Sequence, residues 1–414
     1  MEKDNKFLKG VLSGFCIMLV CSGILLFIEG EIRKRTNDLP ETKTTVTSEG
    51  GSHVLNMDDQ QIDTKIRNIE AVINQHFYDE VDPEKIESSM YKGLVAGLGD
   101  PYAAYYTEEE LQHLNEATAG EYKGIGASLS QDRETGLVTI IRCFKGTPSE
   151  EAGLLPGDII YQLNDTLVVG MELQEVVRMI KTEPGETIKI TVVREGAADY
   201  MEFDVSRRKV EIPTVSFEML ENKIGYIEIT EFDTVTEAQF DKALNDLEHE
   251  GMERLIIDLR NNPGGVLQTV CAMLNRMLPE GLIVYTEDKY GERSEFKSDG
   301  RHEFKKPLVL LVNGNSASAS EIFAGAVKDY GIGTLVGTTT YGKGIVQRIV
   351  NLDDGTAVKL TIAKYFTPKG NDIHGKGIVP DVEIDLQEEL KQKAVIEKSE
   401  DNQLQKAIEV LSAQ

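Results

Sequence analysis

Three serines spaced two apart, Ser316, Ser318 and Ser320, stand in VNGNSASASEIFAGAV (312–327), between an apolar run and a helical one. A serine at the C-terminal end of a strand, against a helix N-terminus, faces the crevice where α/β sheets bind ligands. Free helix N–H groups there also suit a developing oxyanion. Ser318-Ala-Ser-Glu321 equally matches a capping box, with Ser318 as the cap and Glu321 bonding back, and for an isolated S-x-x-E that is the ordinary reading. A nucleophilic serine needs a base. Only six histidines are present, and His374, the one near these segments, reads as a structural loop residue rather than a triad base. A neutral lysine is the other route, and Lys343 sits in GTTTYGKGIVQ (337–347) beside Tyr341, Ile345 and Val346, an apolar setting that lowers an amine's pKa. The same stretch nearly fits the phosphate loop G-x-x-x-x-G-K-[ST], but Gly344 stands where the Mg²⁺-binding hydroxyl belongs. In DLRNNPGG (258–265) an apolar strand ends in two glycines, which let backbone N–H groups turn toward a bound group.

The elements that must position these residues follow from periodicity. From about residue 210, strand and helix patterns alternate: KIGYIEI (223–229), RLIIDLR (254–260), PLVLLV (307–312) and TLVGT (334–338), with helical stretches between them. Continuously apolar strands such as LIIDL and LVLLV predict a sheet covered on both faces, an α/β core over 209–385. Residues 119–208 carry short β-rich runs, LVTIIRCF, DIIYQL, TIKITVVR and YMEFDV, with helix ELQEVVRMIK (172–181) among them. Residues 58–118 read as a small helical domain: Ile62, Ile66, Ile69 and Ile73 recur at helical spacing, and Asp82-Pro83 opens a helix carrying Ile86, Met90, Leu94 and Leu98. Thr107-x-x-Glu110 is a second capping box. A terminal region, 386–414, ends in a helix with Leu404, Ala407, Ile408 and Leu411, suited to docking on a partner or on the core. The fold class is therefore mixed α/β and multidomain.

Residues 11–28 form 18 consecutive positions without a charge, after Lys3, Lys6 and Lys9. That length suits one membrane-spanning helix and exceeds a usual signal-peptide core, so an uncleaved anchor over 8–28 and a flexible linker over 29–57 are expected. Arg33, Lys34 and Arg35 follow as closely as the lysines precede, so charge alone does not orient the span. A net charge of −26, from 44 Lys+Arg against 70 Asp+Glu, argues against nucleic acid as a partner. Cys16 and Cys21 lie inside the span, and Cys143 and Cys271 are far apart, so there is neither a disulfide framework nor a zinc spacing.

As an ordered set, GDPYAAYY, YKGIGA, GTPSEEAGLLPGD, DLRNNPGG, NSASASEIFAGA, GTTTYGKGIVQ and YFTPKGNDIHGKGIVPD resemble the C-terminal processing (tail-specific) peptidases, serine proteases with a Ser/Lys dyad. The resemblance runs from about residue 60 to 385. It implies Ser318 as nucleophile, Lys343 as general base and Gln347 as the residue holding the amine, with the N–H groups of Gly264 and Ala319 as oxyanion donors. Lys343 and Gln347 would need a bend near Gly344 to meet. It implies acyl transfer without metal or cofactor. It further implies that 119–208 is a PDZ domain that takes a substrate's C-terminal tail. Tyr122, Gly124, Ile125 and Gly126 would form the carboxylate loop, and Val176, Val177 or Ile180 the helical groove wall. Protein substrates with exposed tails, a regulatory protein partner, an extracytoplasmic catalytic part and a homodimer formed through the terminal helical regions are expected on the same ground. The competing expectation is a membrane-tethered PDZ scaffold that binds C-termini without cutting.

Overall fold

The computed structural model describes residues 57–132, 135–181, 186–393 and 396–413. The expected anchor, 8–28, lies outside the described residues, as does the linker up to residue 56. No helix among the described residues is long and apolar enough to cross a membrane.

Among the described residues, those from 57 to Val81 and those from Asp82 onward belong to separate compact units. In the first, helix Asp59–His76 is capped by the Asp58 carboxylate and buries none of its residues. In the second, helix Pro83–Ala96 starts as expected, with Asp82 as cap and Pro83 at the first turn, yet only Val95 is buried. Ile86, Met90, Leu94 and Leu98 are exposed. The expected helical domain thus builds no apolar core of its own. Its second half instead joins the catalytic region, since strand Ala104–Tyr106 pairs antiparallel with Ala357–Lys359.

The core sheet of the larger unit has six strands, ordered Val215–Leu220, Ile224–Ile229, Arg254–Asp258, Leu308–Val312, Thr334–Gly337 and Val382–Glu383. All pairings are parallel except at the first strand, which is antiparallel. Alternation explains the continuously apolar strands. Ile227, Ile229, Leu255, Ile257, Leu308 and Leu310 point to one face, under helices that contribute Phe240, Leu244, Val270, Leu274 and Phe323. Tyr226, Ile256, Val309, Leu311 and Val336 point to the other, covered by Leu404, Ala407 and Leu411 of the terminal helix Asn402–Ser412. That helix therefore docks on its own core. Of the two terminal regions expected to pair with a second copy, only the N-terminal one leaves its apolar stripe exposed.

A five-stranded antiparallel sheet built around Ala357–Phe366 flanks this core. The β-rich module is a further antiparallel sheet, ordered Ala127–Gln131, Val138–Cys143, Ile159–Leu163, Thr187–Val193 and Met201–Ser206. It packs on helix Leu173–Ile180 through Val176 and Ile180. The module's entry and exit segments, Glu121–Gly124 and Arg208–Glu211, pair with each other in a two-stranded ribbon. Cys143 and Cys271 are both free.

Candidate active site

The loops after the parallel strands ending at Asp258, Val312 and Gly337 converge at one edge of the sheet, as the doubly covered α/β arrangement requires. The three serines meet different fates there. Ser316 is buried and its hydroxyl donates to the Leu259 carbonyl at 2.7 Å, while Ser320 is buried and donates to the Asn262 carbonyl at 2.9 Å. Both fasten the serine turn to the neighbouring 258–262 loop. Ser318 alone is partly exposed. Its backbone, φ 56° and ψ −113°, lies outside the extended region of an ordinary N-cap. Strain of this kind holds a side chain out of a turn, where it persists only because its surroundings fix it.

The Glu321 carboxylate does much of that fixing. It bonds back to the Ser318 N–H at 2.9 Å, as a capping-box glutamate does, but it is wholly buried and also reaches the lysine loop. There it accepts from the Thr340 hydroxyl at 2.6 Å, the Gly342 N–H at 2.7 Å and the Lys343 N–H at 2.8 Å. A second bridge is Tyr365, whose buried hydroxyl lies 2.9 Å from the Ser318 carbonyl oxygen and 2.6 Å from that of Lys343. Two buried side chains therefore bind the backbones of Ser318 and Lys343 to each other. Burial, aided by the positive charge of Lys359, holds the Lys343 amine below the usual lysine range, and Asp100 and Glu321 only partly oppose this.

Gly264, at φ +104°, lies so close to the serine turn that a Cβ would fall 2.7 Å from the Ser318 Cβ and 2.8 Å from the Ala319 nitrogen. Gly264 and Ala319 are thus side by side at the serine. The Gly264 N–H, however, donates to the Asn262 side-chain oxygen at 2.8 Å. Asn262 is buried, and its amide nitrogen donates to the Ile229 carbonyl while its own carbonyl accepts from the Ala317 N–H. The strand Ile345–Asn351 that carries Gln347 pairs with Ala357–Phe366 with a register shift between Val346 and Gln347, two residues beyond the Gly344 position where a bend is expected. Gln347 keeps a buried Nε2 without a hydrogen-bond partner. His374 stands against Gly344, where a Cβ would meet the His374 nitrogen at 2.7 Å, and its Nδ1 is buried without a partner.

In the β-rich module Gly124, Ile125 and Gly126 are buried, and Ile125 belongs to the module's apolar core. The Ile125 carbonyl accepts from the Ser149 N–H at 2.8 Å. Gly126 is at φ +82° and a Cβ there would strike Thr147, so the loop requires glycine. The Tyr122 hydroxyl is buried, and burial pushes it up to about 12 against the opposing pull of the Ala127 and Gly126 backbone. Val176 and Ile180 face the core, and Val177 is half-buried on the helix flank.

An ion-pair cluster at the end of the Arg254–Asp258 strand and two residues beside the lysine carry little signal in the sequence. Asp258 and Arg260 bracket the end of an apolar strand, and the Arg260 guanidinium bonds to both Asp258 oxygens and to Asp401. The Tyr226 hydroxyl donates to Asp258 at 2.8 Å. A charged pair closing an otherwise apolar run was the available clue. Tyr102 and Asp100 also approach the lysine, from a segment whose sequence reads only as a turn.

One edge of the sheet thus brings together a strained serine at a helix N-terminus, the adjacent Gly264 and Ala319, and a half-buried lysine held on the same frame, in a chain that also carries a separate antiparallel β module. Peptidase family S41 matches residues 223–384, and a PDZ domain matches 145–194. The carboxy-terminal processing protease CtpA of Bacillus subtilis is 34% identical over 369 residues, 89% of this chain and 75% of that protein. A probable CtpA-like serine protease of Staphylococcus aureus is 35% identical over 334 residues, 80% of this chain and 66% of its own length. Among solved structures, the photosystem II D1 C-terminal processing protease is similar at 30% identity with a TM-score of 0.45, covering 79% of this chain and 88% of that one. The chain belongs to the S41 peptidases, as a carboxy-terminal processing serine protease with a PDZ domain.

Proposed function

We propose that Ser318 is the nucleophile and Lys343 its general base, in an endopeptidase that cuts proteins presented by their C-terminal tails. The observation that carries this reading is the shared frame: Glu321 and Tyr365 hold both backbones, and of three serines only Ser318 is left accessible. The neutral Lys343 amine takes the Ser318 proton as Oγ bonds to the scissile carbonyl carbon. The resulting oxyanion is met by the Ala319 N–H and by the Gly264 N–H once the latter exchanges Asn262 for it. Collapse breaks the C–N bond as the lysine proton passes to the leaving amine. Water then attacks the acyl ester while Lys343 takes its proton, and the C–Oγ bond breaks as Lys343 hands that proton to Ser318 Oγ, restoring the serine and the neutral amine. Gln347, whose buried Nε2 lacks a partner, is the side chain we assign to hold the neutral amine, donating to its lone pair.

The test is cleavage of an unstructured protein with an apolar C-terminal tail. Ser318→Ala and Lys343→Ala are each expected to reduce turnover by about 10⁴-fold or more, and wild-type activity is expected to rise with pH as Lys343 deprotonates. Equal proteolysis by the three proteins would sink the dyad. The charge-free span at 11–28 supports a single membrane anchor at 8–28, and the resemblance to the C-terminal processing peptidases, not the flanking charges, supports a catalytic part outside the cytoplasm. Release of the full chain from membranes by alkaline carbonate would remove that part of the proposal.

A further inference from the structure

The amine of Lys343 is touched from outside the protease sheet. Its Nζ lies 4.8 Å from the ring centroid of Tyr102, in the Gly99–Tyr106 segment. That segment is firmly placed. The Asp100 carboxylate accepts from the Tyr102 N–H at 2.9 Å and from Thr361, the Tyr102 hydroxyl bonds to Tyr341, and Ala104–Tyr106 continues as an added strand on Ala357–Lys359. The charged groups around the amine come from every packed element. Asp100 and, from the nucleophile helix, Glu321 favour the ammonium, and Lys359, itself over the Tyr106 ring, opposes it. Tyr365 meets the Lys343 carbonyl and His374 meets Gly344, so neither is directed at the amine by these contacts. An aromatic face attracts an ammonium but not a neutral amine, so the ring is selective for one protonation state.

We propose that Tyr102 is a positioning residue for Lys343, holding its ammonium form against the ring face so that the Gly99–Tyr106 segment forms part of the base's environment. To act on Ser318 the amine loses its proton and leaves the ring, and the ring receives it again after each turnover. The inference rests on Lys343 being the base, so one readout is independent of turnover: NMR titration of the lysine side-chain resonances in the Ser318→Ala protein, assigned by comparison with the same protein carrying Lys343→Ala.

Tyr102→Phe keeps the ring and Tyr102→Leu removes it. For Tyr102→Leu, both the acid limb of kcat/KM and the Lys343 midpoint by NMR are expected to move down by about one pH unit, with kcat at high pH reduced. Tyr102→Phe is expected to keep the wild-type midpoint. A protein that still cleaves with Lys343→Ala removes the dyad reading. A dead Lys343→Ala protein together with an unshifted midpoint in Tyr102→Leu, or equal shifts in the Leu and Phe variants, overturns the role of Tyr102. Where thermal melts show that leucine impairs folding, Tyr102→Met gives the same comparison with a flexible side chain of similar reach, and its unshifted midpoint likewise overturns the proposal.

Discussion

At the scale of single residues, Glu321 concentrates the most consequence in one carboxylate. A buried charge is tolerated only when it is fully bonded, and this one accepts from Ser318, Thr340, Gly342 and Lys343. Glutamine keeps the shape but presents an amide donor to N–H groups that are themselves donors. Glu321→Gln is therefore expected to lower stability by about 2–4 kcal/mol, and, because the frame of the dyad loosens, kcat/KM by about 10²-fold. A variant with the wild-type melting temperature and turnover would show that the four bonds are not what sets the site. The capping-box reading of S-x-x-E was correct in its residues yet too small in scope. The bond from Glu321 to Ser318 is local and so legible in the sequence. Its bonds to the 340–343 loop are not, because they depend on how two parallel strands bring their ends together. For the same reason the fates of Ser316, Ser318 and Ser320 separate only when the 258–262 loop is in place to bond the outer two.

At the scale of elements, the parallel sheet was readable because its strands are apolar on both faces, and the helices that cover one face follow in the sequence. The cover of the other face is not legible in the same way, since Leu404, Ala407, Ile408 and Leu411 fit any apolar surface. The Arg260 cluster is part of what seats it. Burial alone would raise the Asp401 carboxyl, but its hydrogen bond and ion pair with Arg260 outweigh that and hold it below the ordinary range. Asp401 also caps the helix, accepting from the Gln403 and Leu404 N–H groups. A depressed carboxylate adds stability above its unfolded pKa, about 3.8, and loses it as pH falls through the lower folded value. Asp401→Asn is therefore expected to destabilise the protein at neutral pH and to narrow the gap below about pH 4, read from denaturant midpoints across pH. A gap independent of pH would mean that the cap, and not the ion pair, carries the effect.

At the scale of the whole molecule, the β-rich module enters and leaves the catalytic unit through one two-stranded ribbon, Glu121–Gly124 against Arg208–Glu211. The loop proposed to take a tail carboxylate, 122–126, overlaps one strand of that ribbon. Lys181, just after helix Leu173–Ile180, is ion-paired at 3.0 Å to Glu116 of the helix before the ribbon. Recognition of a free C-terminus should depend on its charge, because backbone N–H groups bond more strongly to a carboxylate than to an amide. Amidating the tail of an otherwise identical protein substrate is expected to raise KM by about ten- to a hundredfold, the equivalent of one or two charge-assisted bonds. The kcat for a short internal peptide that does not reach the module should be unchanged by the same modification. Equal KM for acid and amide tails would separate the PDZ module from substrate selection and leave the tail to be read elsewhere on the catalytic unit.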